Sequence, residues 1–350
     1  MTLPDIAPPL LDWYGQNKRV LPFRTVSTPY RVWVSEIMLQ QTRVSAALPY
    51  FERFMEALPT VADLAACEPE KLHKLWEGLG YYSRVRNLQK AAQIVMEQYG
   101  GRLPANFEAL QKLPGIGAYT AGAIASICFG LPVPAVDGNV LRVFARLLND
   151  ARDITDPEVK KELTAQVLAL QPPECPGDYN QALMELGALV CVPNGAPQCE
   201  ACPLRALCMA QKLGTAESLP HKSPPAEKKL LHYTVALVLD GNGRVLLQRR
   251  APAGLLAGLW QPVLLEGALS AAQLPPALAE LGITCESIHA LPNAKHVFTH
   301  LVWQMNGFAV YTTPCPAPNS CVWAARAELE QTYTLPNAFK VYRTVLKNLL

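Results

Sequence analysis

The 350-residue sequence has almost no net charge: 31 Lys and Arg stand against 29 Asp and Glu, a formal balance of +2. Neither side of residue 215 departs far from that balance. Bulk charge therefore gives no support for nucleic-acid binding, and any such surface must be a local patch. The first residues carry Asp5 and no basic cluster, without the layout of a secretory signal. No period of fixed length recurs, which excludes a solenoid. Charge is missing altogether from Leu113 to Val136. Pro132, Pro134 and four glycines interrupt that run, and no flanking anchors accompany it, so it does not read as a membrane span.

What is present suits a large core. Half of the residues are hydrophobic and 17% are charged, and the length suggests about two domains. Residues 1–215 show helical spacing of apolar residues, with turn signals at Leu58-Pro-Thr60, Tyr99-Gly-Gly101 and Pro172-Pro173. Residues 216–230, rich in Pro and Lys, read as a linker. Residues 231–350 change character. His232–Asp240 and Arg244–Arg250 form an expected strand pair around Gly241-Asn242-Gly243, a strong hairpin signal. Further strands are expected at Trp260–Leu264, Lys295–His300, Val302–Tyr311 and Cys321–Ala324, with helices at Ala271–Leu281 and Ala338–Leu349. The expected classes are all-α for the first part and α+β for the second.

Three stretches carry chemistry. In Leu113-Pro-Gly-Ile-Gly-Ala-Tyr119, Pro114 and Gly115 end one helix, and Gly117 lets backbone approach a ligand. The next helix then points free N–H groups and its positive end outward, which suits a phosphate. Asp137 follows the uncharged run in Val136-Asp-Gly-Asn-Val140. It reads either as an ordinary N-cap or as a carboxylate leaving an apolar body at one chosen place. Glu36 is the only charge between Arg31 and Arg43, among Trp33, Val34, Ile37, Met38 and Leu39. Poor solvation raises a carboxyl pKa and makes such a group a proton donor near neutral pH; pairing with Arg24 or Arg31 is the structural alternative. In Gly78-Leu-Gly-Tyr-Tyr-Ser-Arg84, Tyr81 and Tyr82 suit stacking or wedging between bases, and Arg84, Arg86 and Lys90 suit phosphates. A solvated basic helix face explains the same residues.

Of ten cysteines, Cys191, Cys199, Cys202 and Cys208 fall within eighteen residues. Structural zinc usually shows two close ligand pairs, and C-x7-C-x2-C-x5-C has one. Four thiolates on one short, Pro-bearing loop fit a [4Fe–4S] cluster better.

Together, Ser35–Thr42, Gly78–Arg84, Leu113–Ala123, Val136–Val140 and the four cysteines resemble, in order, the MutY-type adenine DNA glycosylases of the helix-hairpin-helix (endonuclease III) superfamily. That resemblance implies excision of adenine mispaired with 8-oxoguanine or guanine in double-stranded DNA, by a monomeric enzyme of the bacterial cytosol or nucleoid. The base must leave the stack, a step that a Tyr81 wedge and the phosphate-binding turn at Gly115 and Gly117 would support. By resemblance, Glu36 protonates the departing adenine and Asp137 stabilises the oxocarbenium-like sugar or attacks it, the two-carboxylate logic of glycoside cleavage. Tyr119 and Asn139 match residues assisting near the sugar. Gln41, Thr42, Leu79 and Tyr81 match those around the orphaned base or the opened stack. Arg19 and Arg24 match further positions beside the active site. Bifunctional relatives carry a lysine where this chain has Tyr119, so hydrolysis alone is expected.

The C-terminal part resembles the MutT-like (Nudix) module with which these enzymes recognise 8-oxoguanine. Val245–Arg250 and Gly254–Pro262 fit its strands, and Phe298-Thr299-His300 matches a Phe-Ser-His element. The acidic helix that binds metal in the pyrophosphatases is absent, so Mg²⁺-dependent pyrophosphohydrolysis is not expected. One departure concerns the first two cysteines, spaced by seven residues where the family usually has six. Two other readings stay open: a lyase acting on oxidised pyrimidines, and a non-catalytic damage sensor held together by a metal cluster.

Overall fold

The computed structural model describes residues 5–193, 195–224 and 227–350. Met1–Pro4, at the start of the expected helical part, together with Asn194, Pro225 and Ala226, lie outside the described residues. Contacts group the described chain into two compact units, 5–66 with 87–224, and 67–86 with 227–350.

The first unit is helical. Its main helices span Ala7–Asn17, Pro29–Leu39, Val44–Ala57, Phe107–Gln111, Ala118–Phe129, Gly138–Leu148, Pro157–Ala169 and Pro176–Leu189. The Pro29–Leu39 helix ends at Leu39, and Gln41 beyond it adopts φ +58°, outside the helical region. Proline opens the Pro29, Pro157 and Pro176 helices, where its missing N–H costs no hydrogen bond. The Ala118–Phe129 helix is apolar all round and lies in the middle of the unit. There Gly122 rests on the Pro134 carbonyl, too close for any Cβ. The helices at Gly138 and Pro176 share a core of Val140, Val143, Phe144, Leu147, Tyr179, Leu183 and Leu186. Each such buried side chain contributes roughly 1.5–3 kcal/mol. Residues 216–223 of the expected linker are anchored on this unit: Ser223 N–H donates to Asp153 Oδ2 at 3.0 Å, and Ile154 N–H to the His221 carbonyl at 3.2 Å.

The second unit holds a six-stranded mixed sheet. Its strands are β1 (Lys229–Leu239), β2 (Arg244–Arg249), β3 (Trp260–Glu266), β4 (Ser287–Val297), β5 (Leu301–Tyr311) and β6 (Cys321–Ala325), in the order β4-β5-β1-β3-β2-β6. Only β1 and β5 run parallel. Side chains alternate across β1. Val235, Leu237 and Leu239 face Phe339 and the C-terminal helix Lys340–Leu349 that follows it, through Tyr342 and Leu346. Ala236 and Val238 face the helix Leu274–Ala279 through Leu274 and Leu278. Two strands differ from the sequence reading by more than two residues. β1 begins at Lys229, inside the expected linker. The strand expected at Lys295–His300 belongs to a longer β4 that ends at Val297, and Phe298-Thr299-His300 forms its turn into β5, closed by Phe298 N–H donating to the Leu301 carbonyl at 2.8 Å.

Candidate active site

Three helices of the first unit bring the candidate catalytic residues together. Glu36 sits in the third turn of Pro29–Leu39 with 7% of its surface exposed. Tyr119 stands in the first turn of Ala118–Phe129 and donates its hydroxyl proton to Glu36 Oε2 at 2.6 Å. The same hydroxyl lies 3.1 Å from Met184 Sδ. Burial pushes the Glu36 carboxyl up to about 7, and the charge of Asp137 adds to the effect; the Tyr119 hydrogen bond and Arg24 pull the other way. The same burial, with Glu36 and Asp137 both near, raises the Tyr119 phenol well above its ordinary value.

Asp137 caps the Gly138–Leu148 helix. Its Oδ1 accepts from the backbone N–H of Asn139 and Val140, both at 2.8 Å, and its Oδ2 from Asn139 Nδ2 at 2.7 Å. The two sequence readings of Asp137 thus coexist: capping fixes the carboxylate where Glu36 feels its charge. Burial raises the Asp137 pKa, while the Val140 and Asn139 donors hold it down. Arg142, one turn on, donates from Nη2 to Asn139 Oδ1 and to the Gly187 carbonyl, both at 2.8 Å, and from Nε to the Cys191 carbonyl at 2.7 Å. Asp137 is therefore held by a relay that begins at the cysteine loop. Gly187 permits it, because a Cβ there would sit 2.6 Å from Asn139 Cβ.

The sequence reading passed over Glu185 and gave Arg19 and Arg24 only a general place. Glu185 is fully buried. It accepts from Arg19 N at 2.9 Å, from Arg19 Nε and Nη2 at 2.7 Å each, and from Arg24 Nη2 at 2.8 Å. Burial alone would raise this carboxyl, but the Arg19 and Arg24 hydrogen bonds outweigh it and bring it down to about 2. Arg24 thus pairs with Glu185 and not with Glu36, and Arg31 donates to the Pro22 carbonyl. The available signals were a single acid within apolar Ala182–Val190, and Arg142 and Arg146 alone on an apolar helix.

Other candidates of this unit lie on its surface. Gly115 has φ +80° and Gly117 caps the Ala118 helix without a side-chain bond, so the first N–H groups of that helix have no cap. Gln41 is exposed and Thr42 half-buried.

Within the second unit, Gly78 and Gly80 have φ +107° and +72°, and Tyr81 has φ +48°. Tyr81 is 50% exposed, and strain of this kind in a non-glycine residue often marks a functional position. Leu79 and Tyr82 are buried, so Tyr82 does not join Tyr81 as a wedge. Arg84 turns back on its own loop, donating from Nη2 to the Leu79 and Gly80 carbonyls at 3.2 and 3.3 Å and lying over the Trp76 and Tyr81 rings. A cavity of about 450 Å³ is lined by Tyr81, Arg86, Leu256, Phe298, Thr299 and His300, among others. The Tyr81 and Thr299 hydroxyls are 3.4 Å apart. Phe298 packs edge-on against His296 and Trp303, and Thr299 and His300 are exposed.

Cys191, Cys199, Cys202 and Cys208 all border one pocket, whose other walls include Val143, Leu186 and Arg146. Buried Arg146 donates from Nη1 to Cys191 Sγ at 3.2 Å. Among the described residues, no three His, Cys, Asp or Glu side chains stand together as a ready metal site.

Residues 34–167 match the HhH-GPD superfamily of base excision DNA repair proteins, and residues 234–344 match the NUDIX domain. Relatives span most of the chain. The adenine DNA glycosylase of Mus musculus is 36% identical over 95% of this chain and 76% of its own length. That of Homo sapiens is 35% identical over 95% and 72%. That of Schizosaccharomyces pombe is 29% identical over 97% and 88%. Among solved structures, a thermostable thymine-DNA glycosylase superposes with a TM-score of 0.53 at 27% identity, over 59% of this chain and 94% of its own. A trapped endonuclease III–DNA covalent intermediate gives 0.51 at 28%, over 59% and 93%. A helical HhH-GPD unit and a mixed-sheet NUDIX unit in one chain, matched over most of their joint length by these relatives, are those of a MutY-type enzyme: the chain belongs to the adenine DNA glycosylases.

Proposed function

We propose that this enzyme hydrolyses the N-glycosidic bond of adenine mispaired with 8-oxoguanine or guanine in double-stranded DNA and leaves an abasic site. The observation that carries the mechanism is a pair of carboxylates from different helices: Glu36, hydrogen-bonded by Tyr119 and poised as an acid near neutral pH, and Asp137, near enough for its charge to act on both. Glu36 gives its proton to a ring nitrogen of the flipped adenine and makes the base a better leaving group. Asp137, capped into place, faces the sugar as positive charge develops and stabilises the oxocarbenium-like centre or attacks it. Tyr119 orients the Glu36 carboxyl and Asn139 the Asp137 carboxyl. Tyrosine in place of a lysine supplies no amine for a Schiff base, so the strand stays intact.

The duplex is held locally. The uncapped start of the Ala118 helix, reached through Gly115 and Gly117, takes a phosphate. Tyr81 enters the stack, supported by Leu79 and by Arg84, while Gln41, Thr42 and Arg24 serve the opened site. Phe298, Thr299 and His300 read the lesion base. The four cysteines bordering one pocket, with Arg146 donating to a sulfur, fit a [4Fe–4S] cluster bound by Cys191, Cys199, Cys202 and Cys208. That cluster is structural: it ties the loop to which Arg142 is anchored. The enzyme acts as a monomer.

The test is adenine release by purified protein from duplexes carrying adenine opposite 8-oxoguanine, guanine or thymine. Release from the first two, without strand cleavage, is expected. No release, or release equally fast from A·T pairs, would overturn this reading.

A further inference from the structure

The Tyr119 hydroxyl has one proton and two acceptors. Glu36 Oε2 lies at 2.6 Å, and Met184 Sδ, on the helix Pro176–Leu189, at 3.1 Å. A thioether accepts hydrogen bonds weakly and makes none as a donor. Met184 is half-buried beside the core of its helix, next to Glu185, so its sulfur is held in place by packing. We propose that Met184 is a positioning residue for the catalytic acid: its sulfur draws the Tyr119 proton away from the Glu36 carboxylate and so favours the protonated Glu36 that the reaction consumes. This rests on Glu36 being the general acid.

The sign follows from what each form of Glu36 needs. Ionised Glu36 gains from the Tyr119 donor, and that bond lowers its pKa. Neutral Glu36 can turn its own O–H toward the Tyr119 oxygen, provided the phenol proton has another acceptor. The sulfur supplies that acceptor and competes for the proton in the ionised form, so both effects favour the acid. The other charges acting on Glu36 are Asp137 at the next helix cap and Arg24, itself paired with Glu185; the Cys128 thiol on the Tyr119 helix is raised by its own burial and by Glu36. Among the described residues the Tyr119 hydroxyl donates to Glu36 and Met184 alone, and these other groups all remain when the sulfur is removed.

Met184→Leu keeps volume and apolarity and removes only the acceptor. Single-turnover adenine release from an A·8-oxoguanine duplex, measured from pH 6 to 9, compares the wild-type chain, Met184→Leu, Tyr119→Phe and the double variant. In Met184→Leu the alkaline limb should move down by about 0.5 pH unit, a roughly threefold loss at pH 8 with little change at pH 6. In Tyr119→Phe the limb should move up, and adding Met184→Leu should not move it further. An unmoved limb, a uniform loss at every pH, or the same displacement in the Tyr119→Phe background overturns the role of the sulfur. Absence of release by the wild-type chain at every pH would instead overturn the assignment of the reaction.

Discussion

Glu36→Gln should stabilise the fold while abolishing excision, and the gain should grow with pH. The Glu36 carboxyl stands at about 7 in the folded chain against an ordinary 4.5. A raised carboxyl pKa means that the folded state resists ionisation which the unfolded chain accepts, so folding loses stability as pH climbs from 4.5 through 7. At about 1.4 kcal/mol per pH unit, the cost is about 1.4 kcal/mol at pH 5.5 and about 3 kcal/mol at pH 8, where it levels off. Glutamine fills the same space, keeps an oxygen for the Tyr119 hydroxyl and never ionises. The difference in stability between variant and wild type should therefore increase by about 2 kcal/mol between pH 5.5 and 8. Taking the difference cancels every titration common to both proteins. Thermal unfolding followed by circular dichroism reads it as a widening gap of several degrees in midpoint. The variant should still bind the mismatched duplex and release no adenine. A gap that is the same at both pH values would refute the claim that burial holds Glu36 as an acid.

Adenine release by the wild-type chain should fall towards tenfold per pH unit above about 7, where Glu36 gives up its proton; single-turnover rates across pH 6–9 check this. Arg142→Gln should slow release 10- to 100-fold while leaving duplex affinity within about twofold, because it frees Asn139 from the side opposite Asp137; rates and gel-shift titrations measured side by side decide it. Gly187→Ala should behave likewise, since its methyl group would collide with Asn139, and a variant with wild-type rate would show that Asn139 has room to move. Tyr81→Ala should change thermal stability by no more than about 0.5 kcal/mol, as its ring is half exposed, yet reduce discrimination between A·8-oxoguanine and A·T duplexes.

Much of this protein is legible along the chain. Apolar spacing of 3.6 marked residues 1–215 as helical, and helices such as Ala7–Asn17 and Gly138–Leu148 form there, because local burial patterns repeat with the helix itself. Gly241-Asn-Gly243 marked the turn between β1 and β2, because only residues tolerant of positive φ make it. Glu36 and Asp137 stood out because a charge within an apolar run is costly unless it has a purpose, whereas Tyr119 stood out only through the family resemblance. Boundaries set by long-range pairing were not legible. β4 extends back to Ser287 only because β5 lies beside it, and β1 starts at Lys229 only because it pairs with Leu301. Nor does spacing show that Arg24 donates to Glu185, 161 residues away, and acts on Glu36 only through its charge. The polypeptide by itself determined which groups were available and which segments would coil or extend. The tertiary structure decided which of those groups meet: the proton shared among Tyr119, Glu36 and Met184, and the Arg142 relay from Cys191 to Asp137, join residues distant in sequence through contacts that no local pattern encodes.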